Sequence, residues 1–210
     1  MILKCLYAEV VDKAFLRLDP PYEAVFLDAS DLRRYAARPE YDLPETFVRR
    51  ALAARDECLA IRAGDELAAY GWYSTRANHF SDDLTLHFDP RWVYMYRGFT
   101  NPAHRGRRLH AIGMTMALAE YQRRQFRGLV SCVETRNTAS LRSVYRMGYR
   151  VFGTIYAIRP GHLLRSTGTG YHTLDAPIAW CTPGCRRFGF RLERTNVPLG
   201  AGPRPRAAKI

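Results

Sequence analysis

The run Trp92-Val-Tyr-Met-Tyr-Arg-Gly-Phe-Thr100, continued by Asn101-Pro-Ala-His-Arg-Gly-Arg-Arg-Leu-His110, holds three elements in succession. The first nine residues are rich in aromatic and branched side chains and read as a strand, which Asn101-Pro102 stops. His104-Arg-Gly-Arg107 is then a basic turn. From Arg108 to about Phe126 the apolar residues Leu109, Ile112, Met116 and Ala119 recur at helical spacing, so the turn feeds the N-terminus of an amphipathic helix. Unpaired N–H groups, the helix dipole and several arginines converge there, an arrangement suited to an anion and above all to a pyrophosphate. No Gly-Lys-Ser/Thr follows, which excludes a nucleoside-triphosphate loop, and the glycine spacing of a dinucleotide loop is absent.

Working outward, Leu129-Val-Ser-Cys-Val-Glu134 reads as a strand, Asn137 to Met147 as a short helix ended by Gly148, and Tyr149 to Arg159 as another strand. Upstream, Glu23-Ala-Val-Phe-Leu-Asp28 is a short strand, Ser30 is the expected cap of a helix, and Asp42-Leu-Pro-Glu45 starts a second helix that runs to about Arg55. Glu57 to Arg62 and Glu66 to Ser74 flank Ala63-Gly-Asp65 at hairpin spacing. Residues 75–90 are polar and aperiodic, and read as a loop over a site. The order is strand, two helices, three strands, helix, strand, helix, strand, which makes one mixed α/β domain over residues 23–160. Residues 1–22 read as an N-terminal arm or lead-in strand, ended by Asp19-Pro-Pro21. Residues 161–195 form a C-terminal extension that completes the sheet, with Phe188 to Glu193 as a last strand, and residues 196–210 a disordered basic tail.

The chain has 210 residues, 47% of them hydrophobic, which suits one packed domain with an appendage. Its formal charge of +12 is uneven: residues 1–100 carry net −3, residues 101–150 net +8 and residues 151–210 net +7. All but three of the 32 basic side chains are arginine, whose planar fork suits phosphate. No apolar run is long enough to span a membrane, and Met1 to Glu9 lacks a signal-peptide core. Five cysteines without framework spacing point to a reducing cytoplasm. Cys181-Thr-Pro-Gly-Cys185 has no second ligand pair, so it reads as two free thiols in a turn and no metal is expected.

The turn resembles a motif of the GCN5-related N-acetyltransferases, the GNAT superfamily, whose coenzyme loop is written Gln/Arg-x-x-Gly-x-Gly/Ala. Pro102 and Arg105-Gly106 match its Pro-x-x-Arg-Gly lead-in. Asn137-Thr-Ala-Ser140, ending at Gly148-Tyr149, resembles the later Asn-x-x-Ala/Ser helix, and lies 32 residues beyond Arg105. The resemblance is clear over residues 92–159. It implies a mixed, mostly antiparallel central sheet flanked by helices, and acyl transfer from acetyl-coenzyme A, or another acyl-coenzyme A, directly to an amine. It further implies that Gly98, Phe99 and Thr100 end the strand pairing with the pantetheine arm, that Arg105, Gly106, Arg107, Arg108, Leu109 and His110 wrap the pyrophosphate, and that Asn137 and Ser140 lie near the thioester.

Two departures stand out. The glycine and small-residue slots of the motif hold Arg108 and His110, which bring Cβ atoms toward the phosphates or supply charged contacts of their own. The tyrosine that many members use as an acid aligns with Val144, and Tyr145 sits one residue later, about 100° around the helix. Tyr145 is either a displaced acid or a core residue. Glu134 is the candidate base, with a helix-cap carboxylate as its other reading, while His87, Asp89 and His110 are lesser candidates. Cys132 reads as packing. The acceptor is a small-molecule or peptide amine. The competing function is a catalytically silent domain of the same fold that binds nucleic acid or an acidic protein through the basic half, although aromatic residues do not interleave with the basic ones there. A third reading keeps the chemistry and lengthens the donor to a fatty acyl group or an acyl carrier protein.

Overall fold

A computed structural model describes residues 1–81, 84–158, 163–165, 171–173 and 178–195. Its strands are β1 (Ile2–Ala8), β2 (Tyr22–Phe26), β3 (Glu57–Ala63), β4 (Glu66–Ser74), β5 (Asn78–Ser81), β6 (Leu84–His87), β7 (Trp92–Thr100), β8 (Gly128–Glu134), β9 (Arg150–Ile158), β10 (Leu163–Arg165), β11 (Tyr171–Thr173), β12 (Ile178–Cys181) and β13 (Arg191–Arg194). Its helices are α1 (Ala29–Ala36), α2 (Glu45–Ala53), α3 (Leu109–Arg123) and α4 (Thr138–Arg146). Eight strands build the main sheet in the order β12-β9-β1-β8-β7-β4-β3-β2. Every neighbouring pair is antiparallel except β7 and β8.

Both faces of this sheet are covered, which sets the texture of its strands. On one face α3 and α4 enclose Leu6, Val93, Met95, Leu129 and Val133. On the other, α1 and α2 cover Cys58, Ala60, Tyr70 and Trp72. Farther along that second face, Phe188, Phe190 and Leu86 cover Cys5, Tyr94, Val130 and Cys132. Leu86 belongs to a small outer sheet of order β13-β6-β5, Phe188 to the short helical turn Pro183–Phe188, and Phe190 lies between that turn and β13. Strands buried on both sides lose the apolar–polar alternation; β4 is buried at eight of its nine positions and β8 at six of seven.

In the main sheet β1 lies between β9 and β8, and β12 adds an edge. Three expectations change. Residues 75–90 contain the β5–β6 hairpin, held by β13, so the last strand lies at Arg191–Arg194, after Phe188 has closed a helical turn. The cap of α1 is Asp28, whose Oδ1 accepts from the N–H groups of Ser30 and Asp31 at 2.8 Å each, and these bonds lower its pKa. Asp42 does not cap α2: it takes a left-handed conformation, φ 50°, and its carboxylate pairs with Arg97 at 2.9 Å. The expected tail, 196–210, lies outside the described residues.

Candidate active site

The parallel pair makes a fork. β7 and β8 are paired only from Trp92–Gly128 to Met95–Ser131, where Ser131 Oγ donates to the Met95 carbonyl at 2.9 Å. Beyond this point β8 continues against β1 alone and β7 against β4 alone. A bulge sits at the parting: Trp72 faces Arg97 and Tyr73 faces Met95, which leaves Tyr96 as the extra residue. From Tyr96 to Thr100 the β8-facing edge of β7 therefore has no strand partner among the described residues. That edge is open to an extended ligand.

The strand leads straight into the basic turn. Asn101 N–H donates to the Ala68 carbonyl at 2.9 Å and its Oδ1 accepts from Ala103 N–H at 3.1 Å, fixing the short helical turn Pro102–His104. His104 is tied on both ring nitrogens, Nδ1 to the Tyr22 hydroxyl at 3.0 Å and Nε2 to Glu66 Oε2 at 3.1 Å. The Arg107 guanidinium lies 5.9 Å from the Tyr22 ring centroid. Tyr22 and Glu66 thus brace the turn from β2 and β4. Arg105, Gly106, Arg107 and Arg108 are exposed at the mouth of α3.

Arg108, the N-cap of α3, has φ 60° and ψ 17°, and Gly106 has φ 80°. The turn keeps a left-handed step in the slot where the GNAT motif has glycine, at a cost of roughly 1 kcal/mol for a residue with a Cβ. The next two residues turn inward. Leu109 is buried against Ile61 and Ala69, which leaves only its backbone for a ligand. The His110 ring is placed against Gly98: a Cβ at position 98 would lie 2.5 Å from His110 Cε1 and 3.0 Å from Met95 Cε. Burial pushes the His110 pKa down to about 4, so the ring is neutral at pH 7. It also lines a small depression with Tyr70, Gly71, Tyr73 and Gly113. A charged contact from His110 to phosphate is therefore not what this geometry offers, and Gly98 is the residue that makes room for the ring.

On α4, Asn137 is the N-cap, its Oδ1 accepting from Ser140 N–H at 3.1 Å, and Ser140 is buried. Val144 enters the core, whereas Tyr145 is 47% exposed, so it is not the core residue considered above. Glu134 ends β8 opposite Leu3 and past the fork. By strand alternation it faces the side of Cys132, away from Val133 and α4, so Glu134 and Tyr145 are not brought together. Two lesser base candidates are already engaged. His87 Nε2 pairs with Glu193 at 2.9 Å, and Asp89 is held by Arg91 at 2.6 Å, which lowers its pKa.

The thiols are arranged in a way their spacing did not suggest. Cys132 Sγ lies 3.7 Å from Cys5 Sγ, which lies 3.9 Å from Cys185 Sγ. Gly153 leaves the space that the Cys185 sulfur fills. Cys181 and Cys185 are both free thiols on either side of the turn closed by Cys185 N–H on the Thr182 carbonyl, Cys181 ending β12 and Cys185 buried. Among the described residues no group of three or more His, Cys, Asp or Glu side chains is arranged to hold a metal ion.

The sequence profile described as the Acetyltransferase (GNAT) family matches residues 21–149, more than half of the chain. The chain belongs to the GNAT acetyltransferase family. No curated protein matches it in sequence. Among solved structures it is similar to a putative GNAT-family acetyltransferase from Novosphingobium aromaticivorans, at 18% identity and TM-score 0.49, over 73% of this chain and 60% of that one. A GCN5-related N-acetyltransferase-like protein from Streptococcus suis gives 12% identity and TM-score 0.49 over the same shares. An aminoglycoside N-acetyltransferase in complex with CoA gives 15% and 0.48, over 62% of this chain and 91% of that one. The chain thus spans about 60% of the length of the first two. Three features at the fork and the basic turn fit a ligand such as coenzyme A: an open strand edge, an adjoining helix N-terminus and exposed arginines. Among the described residues no helix is long and apolar enough to cross a membrane.

Proposed function

We propose that this GNAT protein is an acyl-coenzyme A dependent N-acyltransferase, with acetyl as the acyl group, acting on a small-molecule or peptide amine. The observation that carries this reading is the continuity of one strand: the unpartnered edge of β7 runs directly into the braced, arginine-bearing turn at the start of α3. Bound acyl-coenzyme A supplies an activated thioester. Arg105, Arg107 and Arg108, with the first N–H groups of α3, are the residues to hold its pyrophosphate. The β7 backbone from Tyr96 to Thr100 is available to hydrogen-bond the pantetheine amides and polarise the carbonyl.

The amine then attacks the thioester carbon, the C–S bond breaks, and the amine proton leaves to a base. Glu134, beyond the fork on β8, is our candidate acceptor for that proton. The leaving thiolate has a pKa near 8.5 and needs little acid assistance, so the exposed Tyr145 is not required. His110 in a small-residue slot favours the second reading, a silent domain of this fold. The deciding experiment measures free thiol released from acetyl-coenzyme A across a panel of primary amines. Amine-dependent release supports the transferase, and its absence across the panel, together with salt-sensitive binding to polyanions, supports the silent domain.

A further inference from the structure

Asp56 is a buried carboxylate without a cation. It follows α2 in a turn closed by its N–H to the Ala51 carbonyl at 2.9 Å, after Arg55 at φ 61°, so its backbone is fixed. The residue is 7% exposed. Oδ2 accepts from the Tyr96 hydroxyl at 2.9 Å and from Asn78 Nδ2 at 3.2 Å, while Oδ1 is buried with no well-formed hydrogen bond among the described residues, the Ser74 hydroxyl being close enough to favour the charged form. Neighbouring Ser74 Oγ is taken up by the Arg76 carbonyl at 3.1 Å. His79 and Tyr96 are nearby titratable groups, and no ion pair reaches Asp56 among the described residues. Burial raises its pKa, and a buried oxygen left unpaired is the kind of group that a ligand satisfies.

Its surroundings point to that ligand. Tyr96 is the bulged residue at the fork, so Asp56 is hydrogen-bonded to the place where β7 parts from β8. Phe47 joins Tyr96 to Trp72, with ring centroids 6.3 and 5.2 Å away. Trp72 is fully buried, so its ring closes the apolar side of the cluster. The cluster already holds one cation: the Arg97 guanidinium lies 4.5 Å from the Phe47 ring centroid. A carboxylate oxygen beside aromatic faces recognises an ammonium group on an apolar or aromatic body.

We propose that Asp56, with Trp72, Tyr96 and Phe47, is the subsite that binds the acceptor's ammonium group on the sheet face opposite α3, beside the fork. This rests on the transferase reading and names its substrate class as cationic primary amines with an apolar body. Oδ1 is closed from solvent in this conformation, so binding requires a local rearrangement around Asp56.

The test is calorimetric titration of phenethylammonium chloride into the protein saturated with coenzyme A, for wild type and for Asp56→Asn. The variant keeps the shape of the side chain and an acceptor for Tyr96, and is expected to match wild type in melting temperature. The expected result is millimolar binding by wild type and affinity weaker by about ten-fold or more in the variant, the loss of one charge-assisted contact. Equal affinity in both proteins, or no binding by folded wild type, overturns the proposal and leaves Asp56 a packing group. Coenzyme A affinity is read in the same sample before the amine is added. Its absence alongside Asp56-dependent amine binding overturns the transferase reading and not the subsite.

Discussion

Substituting Gly98 by alanine tests whether His110 and Gly98 share one space. The added Cβ would lie 2.5 Å from His110 Cε1, 3.2 Å from its Nδ1 and 3.0 Å from Met95 Cε. Carbon atoms in comfortable contact stand about 3.5–4.0 Å apart, so the overlap with the ring is roughly 1 Å. Overpacking of this kind costs about 1–3 kcal/mol, and removing a strand glycine returns up to ~1 kcal/mol through the unfolded chain, which leaves Gly98→Ala destabilised by about 1–2 kcal/mol. His110→Ala removes the obstacle and leaves a void of its own. In that background the added methyl should cost nothing or stabilise, giving a coupling energy of about 1–2 kcal/mol against an additivity error of ~0.5 kcal/mol. Urea unfolding of wild type, both single variants and the double variant, with equal m-values, measures it. Additive effects within that error would refute the packing argument and leave the ring free to line the coenzyme path.

The left-handed Arg108 gives a second expectation: Arg108→Gly should raise unfolding stability by about 0.5–1 kcal/mol through relief of the φ 60° step, while coenzyme A affinity falls with the lost guanidinium. The pH dependence of stability carries a third. His110 has a folded pKa of about 4, below its unfolded value near 6.5, so its contribution is complete above pH 6.5 and is lost as pH falls toward 4, because the unfolded chain takes up the proton first. The loss by pH 4 is about 2 kcal/mol once the ring's partial exposure is allowed for, and His110→Gln should flatten that window in parallel urea titrations, whereas an unchanged pH profile would contradict the buried, neutral ring. Tyr22→Phe removes the hydroxyl on His104 and should weaken coenzyme A binding several-fold with the rate at saturation nearly unchanged; a fall in that rate instead would mean the brace acts on the chemistry.

How much of this was legible follows from what each feature depends on. The fork's two strands, the basic turn and α3 could be read because each is local: an aromatic strand, an Asn-Pro stop and helical spacing lie in one run. β1 could not be placed. Ile2-Leu-Lys-Cys-Leu-Tyr-Ala8 is buried on both faces, so it lacks alternation, and nothing nearby says that it slots between β8 and β9. The β5–β6 hairpin is not legible although Leu84-Thr-Leu-His87 alternates, because four alternating residues in a polar stretch do not set a strand apart. In the site, the arginines followed from the turn. The bracing of His104 did not, since Tyr22 and Glu66 stand 82 and 38 positions away. The direction of the His110 ring is set by the missing Cβ of Gly98 on another element, which spacing cannot express.

The most direct test of the account is calorimetric titration of coenzyme A into wild type and Arg105→Ala. Saturable micromolar binding that Arg105→Ala weakens about ten-fold, the worth of one arginine–phosphate contact, would put the pyrophosphate on the turn before α3. Binding unaffected by the substitution, or none in the folded wild type, would contradict the claim that the fork and this turn form a coenzyme site.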